Sequence, residues 1–300
     1  MPMPQDVGIV DLMLGVPAVD RRQWYRQFDA LIRDPESRGG LRHGAGYMFK
    51  DLPEVVVDQS YPEFLVGEMN RFGVDMGLLP VSFDEPIGRL CVERYPDRFL
   101  PSYYVDPNAG MEGVRALERA VRELGVVAAT AFPCGYFPQV PINDKRFYPL
   151  YAKCIELDIP IFINAGVPGP RMPFAAQHVE LIDEVCWFFP ELRMVTRHGC
   201  EPWTELAVKL MLKWPNLYYS TSAFAPRYYP RDIIEFANTR GVEKVMFAGY
   251  FPSGLSYDRI FRELPAVPFR DHVWPRFLRE NALAVLKHDT RQPKAEDNRG

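Results

Sequence analysis

The sequence predicts a single (β/α)₈ barrel of the TIM-barrel type. Eight short apolar runs alternate with longer amphipathic stretches along the chain. The runs stay apolar almost without interruption, as parallel strands covered on both faces do. No Gly-x-Gly-x-x-Gly follows the first run, so a doubly wound dinucleotide-binding sheet lacks its signature.

The predicted strands are 8–14, 74–81, 99–105, 126–131, 160–165, 193–197, 217–222 and 244–250. Helical spacing of apolar residues falls between them. Segments 21–33 and 61–72 carry it, and 85–95 is closed by Pro96. The helix over 110–124 stops at Gly125, a residue suited to a left-handed C-terminal cap. Asn143 or Asp144 caps a helix running to Leu157, and 177–189 ends at Pro190. Residues 202–214 begin with proline in the first turn and end before Pro215. Segment 231–239 is closed by Gly241, and 272–287 forms the last helix. The barrel domain thus covers 1–288, with a long excursion at 34–59 and a polar tail at 289–300 read as disordered. An excursion of that length reads as a lid or an interface arm, and so suggests a homodimer. Two further loops, 133–143 and 167–177, follow strands four and five on the face where such barrels place their active sites.

Composition narrows the function. The chain has 300 residues, 47% of them apolar, enough for one large core. Net charge is −4, with a pI of about 5.8, so no basic footprint for nucleic acid or an anionic membrane is present. No apolar run reaches the length of a membrane span. The first residues lack the basic and apolar regions of a secretory signal. Five cysteines, an odd number without a Cys-x-x-Cys pair, read as free thiols in a reducing compartment, the cytoplasm. No P-loop, HExxH or nucleophile-elbow motif occurs.

Several segments, in order, resemble a known family. They are YPDRFLPSYYVDPN, RFYPLYAKCIELDIPIFINAG, FPELRMVTRHGCEPW, KVMFAGYFPSG and RENALAVLK. The chain resembles the amidohydrolase-related group that includes aminocarboxymuconate semialdehyde decarboxylase, with related decarboxylases, hydratases and hydrolases. The resemblance implies a barrel whose divalent metal is held at strand ends: His-x-His after strand one, His after strands five and six, Asp after strand eight. This sequence departs from that set. VDLMLG puts Met13 and Gly15 at the two first-strand positions, FINAG puts Asn164 at the fifth, TRHG keeps His198, and FAGYFP puts Gly249 and Tyr250 where Ser-Asp is usual. Glycine offers no side-chain donor, a thioether suits Cu(I) better than Zn²⁺, and a phenol with pKa of about 10 stays protonated. The expectation is a site without a catalytic metal or other cofactor, zinc included.

His198 is the leading acid/base candidate, since an imidazole of pKa about 6.5 exchanges protons at neutral pH. Its bland alternative is a family residue hydrogen-bonded within the barrel. Asp11 is either a catalytic carboxylate orienting His198 or an ion-pair partner of Arg197. Tyr250 either donates to a developing oxyanion or plugs the vacated metal position. Asn164 and Arg197 are read as ligand-binding, or else as satisfied interior groups. Cys200 precedes a helix start that would lower its thiol pKa, which makes a Cys–His nucleophile conceivable. Glu201 binds ligand or simply favours that helix electrostatically. His43, in the excursion, either reaches the site as part of a lid or is solvated. Phe132, Tyr136, Phe137, Phe224 and Phe251, with Met13 and Leu14, line an apolar pocket or pack as ordinary loop residues. The resulting expectation is a hydrolase acting on a small or medium, partly hydrophobic organic substrate. A lyase, decarboxylase or hydratase, is the alternative on the same scaffold. A non-catalytic binding or structural barrel is the other.

Overall fold

The structure is a computed structural model and describes residues 3–4, 6–16, 30–34, 37, 45, 47–48, 56 and 58–288. The body of the predicted 21–33 helix, His43, most of the 34–59 excursion and the 289–300 tail lie outside the described residues.

Eight parallel strands follow one another around the sheet in sequence order. They are β1 (Ile9–Asp11), β2 (Val74–Pro80), β3 (Phe99–Tyr104), β4 (Ala128–Ala131), β5 (Ile161–Asn164), β6 (Met194–Arg197), β7 (Leu217–Ser220) and β8 (Val245–Met246). Outside them lie α1 (Tyr61–Arg71), α2 (Pro86–Arg94), α3 (Gly110–Leu124), α4 (Tyr148–Glu156), α5 (Leu181–Phe188), α6 (Thr204–Lys213), α7 (Arg231–Ala237) and α8 (Tyr257–Glu263). A terminal helix, α9, is α-helical over Val273–Pro275, π-wound over Arg276–Glu280 and α-helical again over Asn281–Leu286. The predicted (β/α)₈ barrel is therefore the fold.

Alternation along the strands sorts side chains into two cores. One lies between the strands and the helices and includes Ile9, Leu79, Phe99, Ile161, Met194 and Tyr219. The other fills the lumen with Val10, Leu12, Met76, Leu78, Leu100, Ala128, Phe162, Val195, Met246 and Ala248. Ala282, Val285 and Leu286 of α9 belong to this second cluster and stop the barrel's lower end.

Three sequence expectations are corrected here. The helix placed from Asn143 or Asp144 starts only at Tyr148, because Asp144 instead organises a turn, accepting from Arg146 N–H at 2.9 Å. Helix α8 was not expected, although Ser256 caps it and accepts the Arg259 N–H at 3.3 Å. The eighth ladder is two residues long, not seven. The amides that follow turn elsewhere: Phe247 N–H to the Phe277 carbonyl on the π-wound turn, Ala248 N–H to Thr221 Oγ1 and Gly249 N–H to Asp11 Oδ1.

That last bond helps to close the barrel. β8 and β1 share few backbone contacts: Leu12 N–H to Phe247 O at 3.3 Å, Gly15 N–H to Phe251 O at 2.8 Å and a Leu14–Phe251 bridge. Between them the Asp11 carboxylate spans the seam. Oδ1 accepts Met13 N–H at 2.9 Å and Gly249 N–H at 2.7 Å, while Oδ2 accepts the Tyr257 hydroxyl at 2.9 Å. A Cβ on residue 249 would lie 2.5 Å from Asp11 Oδ2, so the seam requires glycine there.

Removing this carboxylate strands three buried donors. Asp11→Ala is expected to cost about 2–4 kcal/mol and Gly249→Ala about 1–3 kcal/mol. Asp11→Asn keeps the two acceptor bonds and donates to Tyr257 Oη instead, so it should cost no more than about 1 kcal/mol. Chemical denaturation of the three variants checks the order. An alanine variant as stable as the asparagine one would show that the seam closes without this side chain.

Candidate functional site

The carboxyl ends of the strands carry most of the residues singled out by sequence. β5 ends on Asn164 and β6 on Arg197, and the two pair in register across the ladder. Both stand two residues beyond a lumen side chain, Phe162 and Val195, and so share the inward face. Asn164 is 9% exposed, and its amide has no hydrogen-bond partner among the described residues. Arg197 is 8% exposed and lies across the lumen, with Cζ 4.9 Å from the Phe162 ring centroid. Its Nη2 donates to the Leu12 carbonyl at 3.3 Å, while the buried Nε has no partner among the described residues. Burial pushes the guanidinium down to about 9, and the charge of Asp11 opposes that fall. It therefore remains a cation at neutral pH.

After β6 the chain turns sharply. His198, Gly199 and Cys200 all have left-handed backbones, with φ of 63°, 87° and 58°. Non-glycine residues adopt this region rarely, and such strain gathers at functional sites. The turn puts the His198 ring 5.3 Å from the Tyr250 ring, edge to face, and Tyr250 is itself left-handed at φ 61°. Ser222, after β7, secures the imidazole. Its Oγ accepts the His198 backbone N–H at 3.1 Å and lies 3.4 Å from Nδ1. The hydroxyl can donate to Nδ1 or accept from it, according to which ring nitrogen carries the proton.

His198, Tyr250, Asn164 and Arg197 thus gather at the strand ends, and Met13 follows the Leu12 carbonyl that Arg197 holds. Others do not join them. Asp11 is fully buried and faces α8. Among the described residues its hydrogen bonds are to Met13, Gly249 and Tyr257, with none to His198 and no ion pair with Arg197. Ser222, not Asp11, orients the imidazole. Cys200 is fully buried, and burial pushes its thiol up to about 12, which is unsuited to a nucleophile. Phe251 is a core residue stacked 4.1 Å from Tyr257. Phe132 is half-buried beyond β4, and Glu201 is half-buried with its carboxyl pushed above the usual range by burial. Sequence reasoning missed Ser222 and Tyr257. The run Ser220–Thr221–Ser222 ending strand seven was the available signal for the first.

The family's metal positions do not fit a divalent ion here. Gly15 and Gly249 bring no ligand side chain, and a Cβ on residue 249 would lie 2.5 Å from the buried Asp11 carboxylate. Met13, Asn164 and Tyr250 are neutral, poor donors for zinc or manganese. Among the described residues no group of three or more His, Cys, Asp or Glu is placed to hold a metal.

Comparison with known proteins gives three findings. The sequence profile of the amidohydrolase family (Amidohydro_2) matches residues 88–287. A 2-keto-4-carboxy-3-hexenedioate hydratase from Sphingobium sp. strain SYK-6 is 30% identical over 128 residues, which is 36% of this chain and 37% of the hydratase. Among solved structures, an uncharacterized TIM-barrel protein from Bordetella bronchiseptica superposes with a TM-score of 0.73 at 23% identity, covering 94% of this chain and 99% of that one. A 5-carboxyvanillate decarboxylase from Novosphingobium aromaticivorans, complexed with manganese and 4-hydroxy-3-methoxy-5-nitrobenzoic acid, does so with a TM-score of 0.68 at 17% identity, covering 94% and 97%. Likeness at these identities establishes the shared fold.

The buried Asp11 carboxyl carries a pH signature. Desolvation raises its pKa above 3.8, against the opposing bonds from Gly249, Met13 and Tyr257 and the charge of Arg197. The folded state therefore favours the protonated form. That contribution is full below the unfolded value and is lost as pH rises through the folded one. Stability of Asp11→Asn relative to the natural protein should accordingly increase as pH rises from about 4. Denaturation curves across that range check the sign, and a difference that shrinks with rising pH would mean that the carboxyl's pKa is depressed.

Proposed function

The chain belongs to the amidohydrolase family, and from that premise we propose that it is a lyase acting on small organic acids with a conjugated carbonyl or phenolic oxygen. Hydration of a double bond and decarboxylation are the two reactions of this class that its relatives' names suggest. The reading replaces the expected hydrolase. What favours a lyase is the relatives themselves, a hydratase by sequence and a decarboxylase by fold. The observation that carries the reading is the imidazole of His198, fixed by Ser222 and facing Tyr250 above a buried cation.

Both reactions use the same elements. In hydration, a water oxygen bonds to the carbon β to the carbonyl while His198 takes its proton. The π pair moves to the carbonyl oxygen as an enolate, and a proton then returns to the α carbon. In decarboxylation of a keto acid, the bond to the carboxyl carbon breaks, CO₂ leaves, the pair moves onto the conjugated carbonyl oxygen as an enolate, and His198 then delivers a proton to the carbon. In a hydroxybenzoate, protonated His198 first delivers its proton to the ring carbon that bears the carboxylate, giving a dienone, and loss of CO₂ then returns the bond pair to the oxygen as a phenolate. Tyr250 is the hydrogen-bond donor for the oxygen on which charge collects. The five free, buried cysteines support action in a reducing compartment, the cytoplasm.

The test is a spectrophotometric screen of unsaturated keto acids and hydroxybenzoates, with esters and lactones alongside. Turnover is expected in the first group. His198→Asn should lower kcat by about 100-fold or more, and Ser222→Ala by a smaller factor of about 3–10. Cleavage of esters or lactones alone would restore the hydrolase, and full activity in His198→Asn would remove the imidazole from the reaction.

A further inference from the structure

A guanidinium offers five N–H donors in a planar fork. Arg197 uses one of them visibly, in the 3.3 Å bond from Nη2 to the Leu12 carbonyl, and its buried Nε has no partner among the described residues. Among the described residues no carboxylate forms an ion pair with it, although Asp11 is near enough for its charge to be felt. Burying a cation this poorly paired costs several kcal/mol. Buried polar groups in native proteins are nearly always satisfied, and no described side chain supplies the missing partner, which leaves the position open to a ligand. The surroundings say what kind of partner. The Phe162 ring lies 4.9 Å from the guanidinium carbon, and the Asn164 amide stands beside it in register with no partner among the described residues. A flat anion bridging Arg197 and Asn164 would meet two sets of donors and an aromatic neighbour.

The geometry points to Arg197 and Asn164 as a carboxylate receptor at the bottom of the site, which anchors the substrate by its deepest group. This rests on the lyase reading and adds the orientation. The carboxylate points down the barrel axis, and the reacting carbon lies above it, near His198 and Tyr250. A consequence concerns decarboxylation. A cation beneath a carboxylate stabilises the ionised ground state, and a departing CO₂ loses that stabilisation. The anchored carboxylate is therefore not the one that leaves. A hydratase substrate needs one carboxylate besides its conjugated carbonyl, and a decarboxylase substrate needs two acidic groups.

The test uses the intact protein with fumarate, succinate and benzoate as probes, against benzamide and chloride at equal ionic strength. At least one carboxylate should raise Tm by about 2 °C or more at 10 mM, with benzamide and chloride inactive. Arg197→Met should weaken calorimetric binding about 10-fold or more without lowering the ligand-free Tm, since it removes an under-paired buried charge. Arg197→Lys keeps the charge but loses the planar fork, so it should also bind more weakly. It keeps the test informative if the methionine variant does not fold. No protection by any carboxylate, equal protection by chloride, or undiminished binding in both variants would overturn the receptor. Carboxylate binding in a protein that turns over none of the keto acids or hydroxybenzoates would overturn the lyase reading and leave the receptor standing. Turnover with unchanged KM in Arg197→Lys would do the reverse.

Discussion

A positive charge inside a closed barrel constrains everything around it. Arg197 sits on the inward face of β6, beside Asn164 and above lumen side chains that include Phe162 and Val195. Its burial is offset by the Leu12 carbonyl, the face of the Phe162 ring and the field of Asp11. None of these is a direct counter-ion. The barrel centre thus carries a resident cation one residue before His198, and a divalent metal would be repelled from the same neighbourhood. Anionic substrate groups are favoured there for the same reason. A fixed cation under the site also stabilises an enolate or phenolate as it forms, which is the electrostatic task common to the two lyase reactions.

The Asp11 seam links this centre to the fold. By accepting the Met13 and Gly249 amides, one carboxylate fixes the backbone on both sides of the β1–β8 junction. Those amides lead directly into the Met13 side chain and the left-handed turn at Tyr250. Tyr257, from α8, completes the arrangement from outside the barrel. Asp11 therefore acts on the site through backbone geometry and through its charge on Arg197, without reaching the ligand space. Its burial also explains why Gly249 admits no side chain, and hence why this position of the family's ligand set is closed.

Much of this was legible in the sequence. Near-continuous apolar runs located all eight strands, because strands covered on both faces leave that pattern whatever their partners. The eighth was overestimated for a specific reason. Residues 247–249 are apolar or glycine, yet their amides bond to Phe277, Thr221 and Asp11 and not to a neighbouring strand. Apolar patterning records burial, not the identity of the acceptor. The candidates at strand ends, His198, Tyr250, Asn164 and Arg197, followed from the barrel rule that functional groups occupy that end. Asp11 was misread because a buried carboxylate in a strand announces a need for partners without saying which face it takes. Tyr257 and Ser222 were invisible as partners, since each meets its counterpart through contacts separated by 246 and 24 residues. Cys200 misled for a similar reason. Proximity to a helix start suggested a lowered thiol pKa, and complete burial overrides it.

We propose that this barrel works around its own buried cation in place of a divalent metal. Metal analysis of the protein purified without chelator tests it most directly. Less than about a tenth of an equivalent of zinc or manganese is the outcome expected of Met13, Gly15, Asn164 and Tyr250 at the ligand positions. Half an equivalent or more, bound stoichiometrically and lost in His198→Asn, would contradict the account.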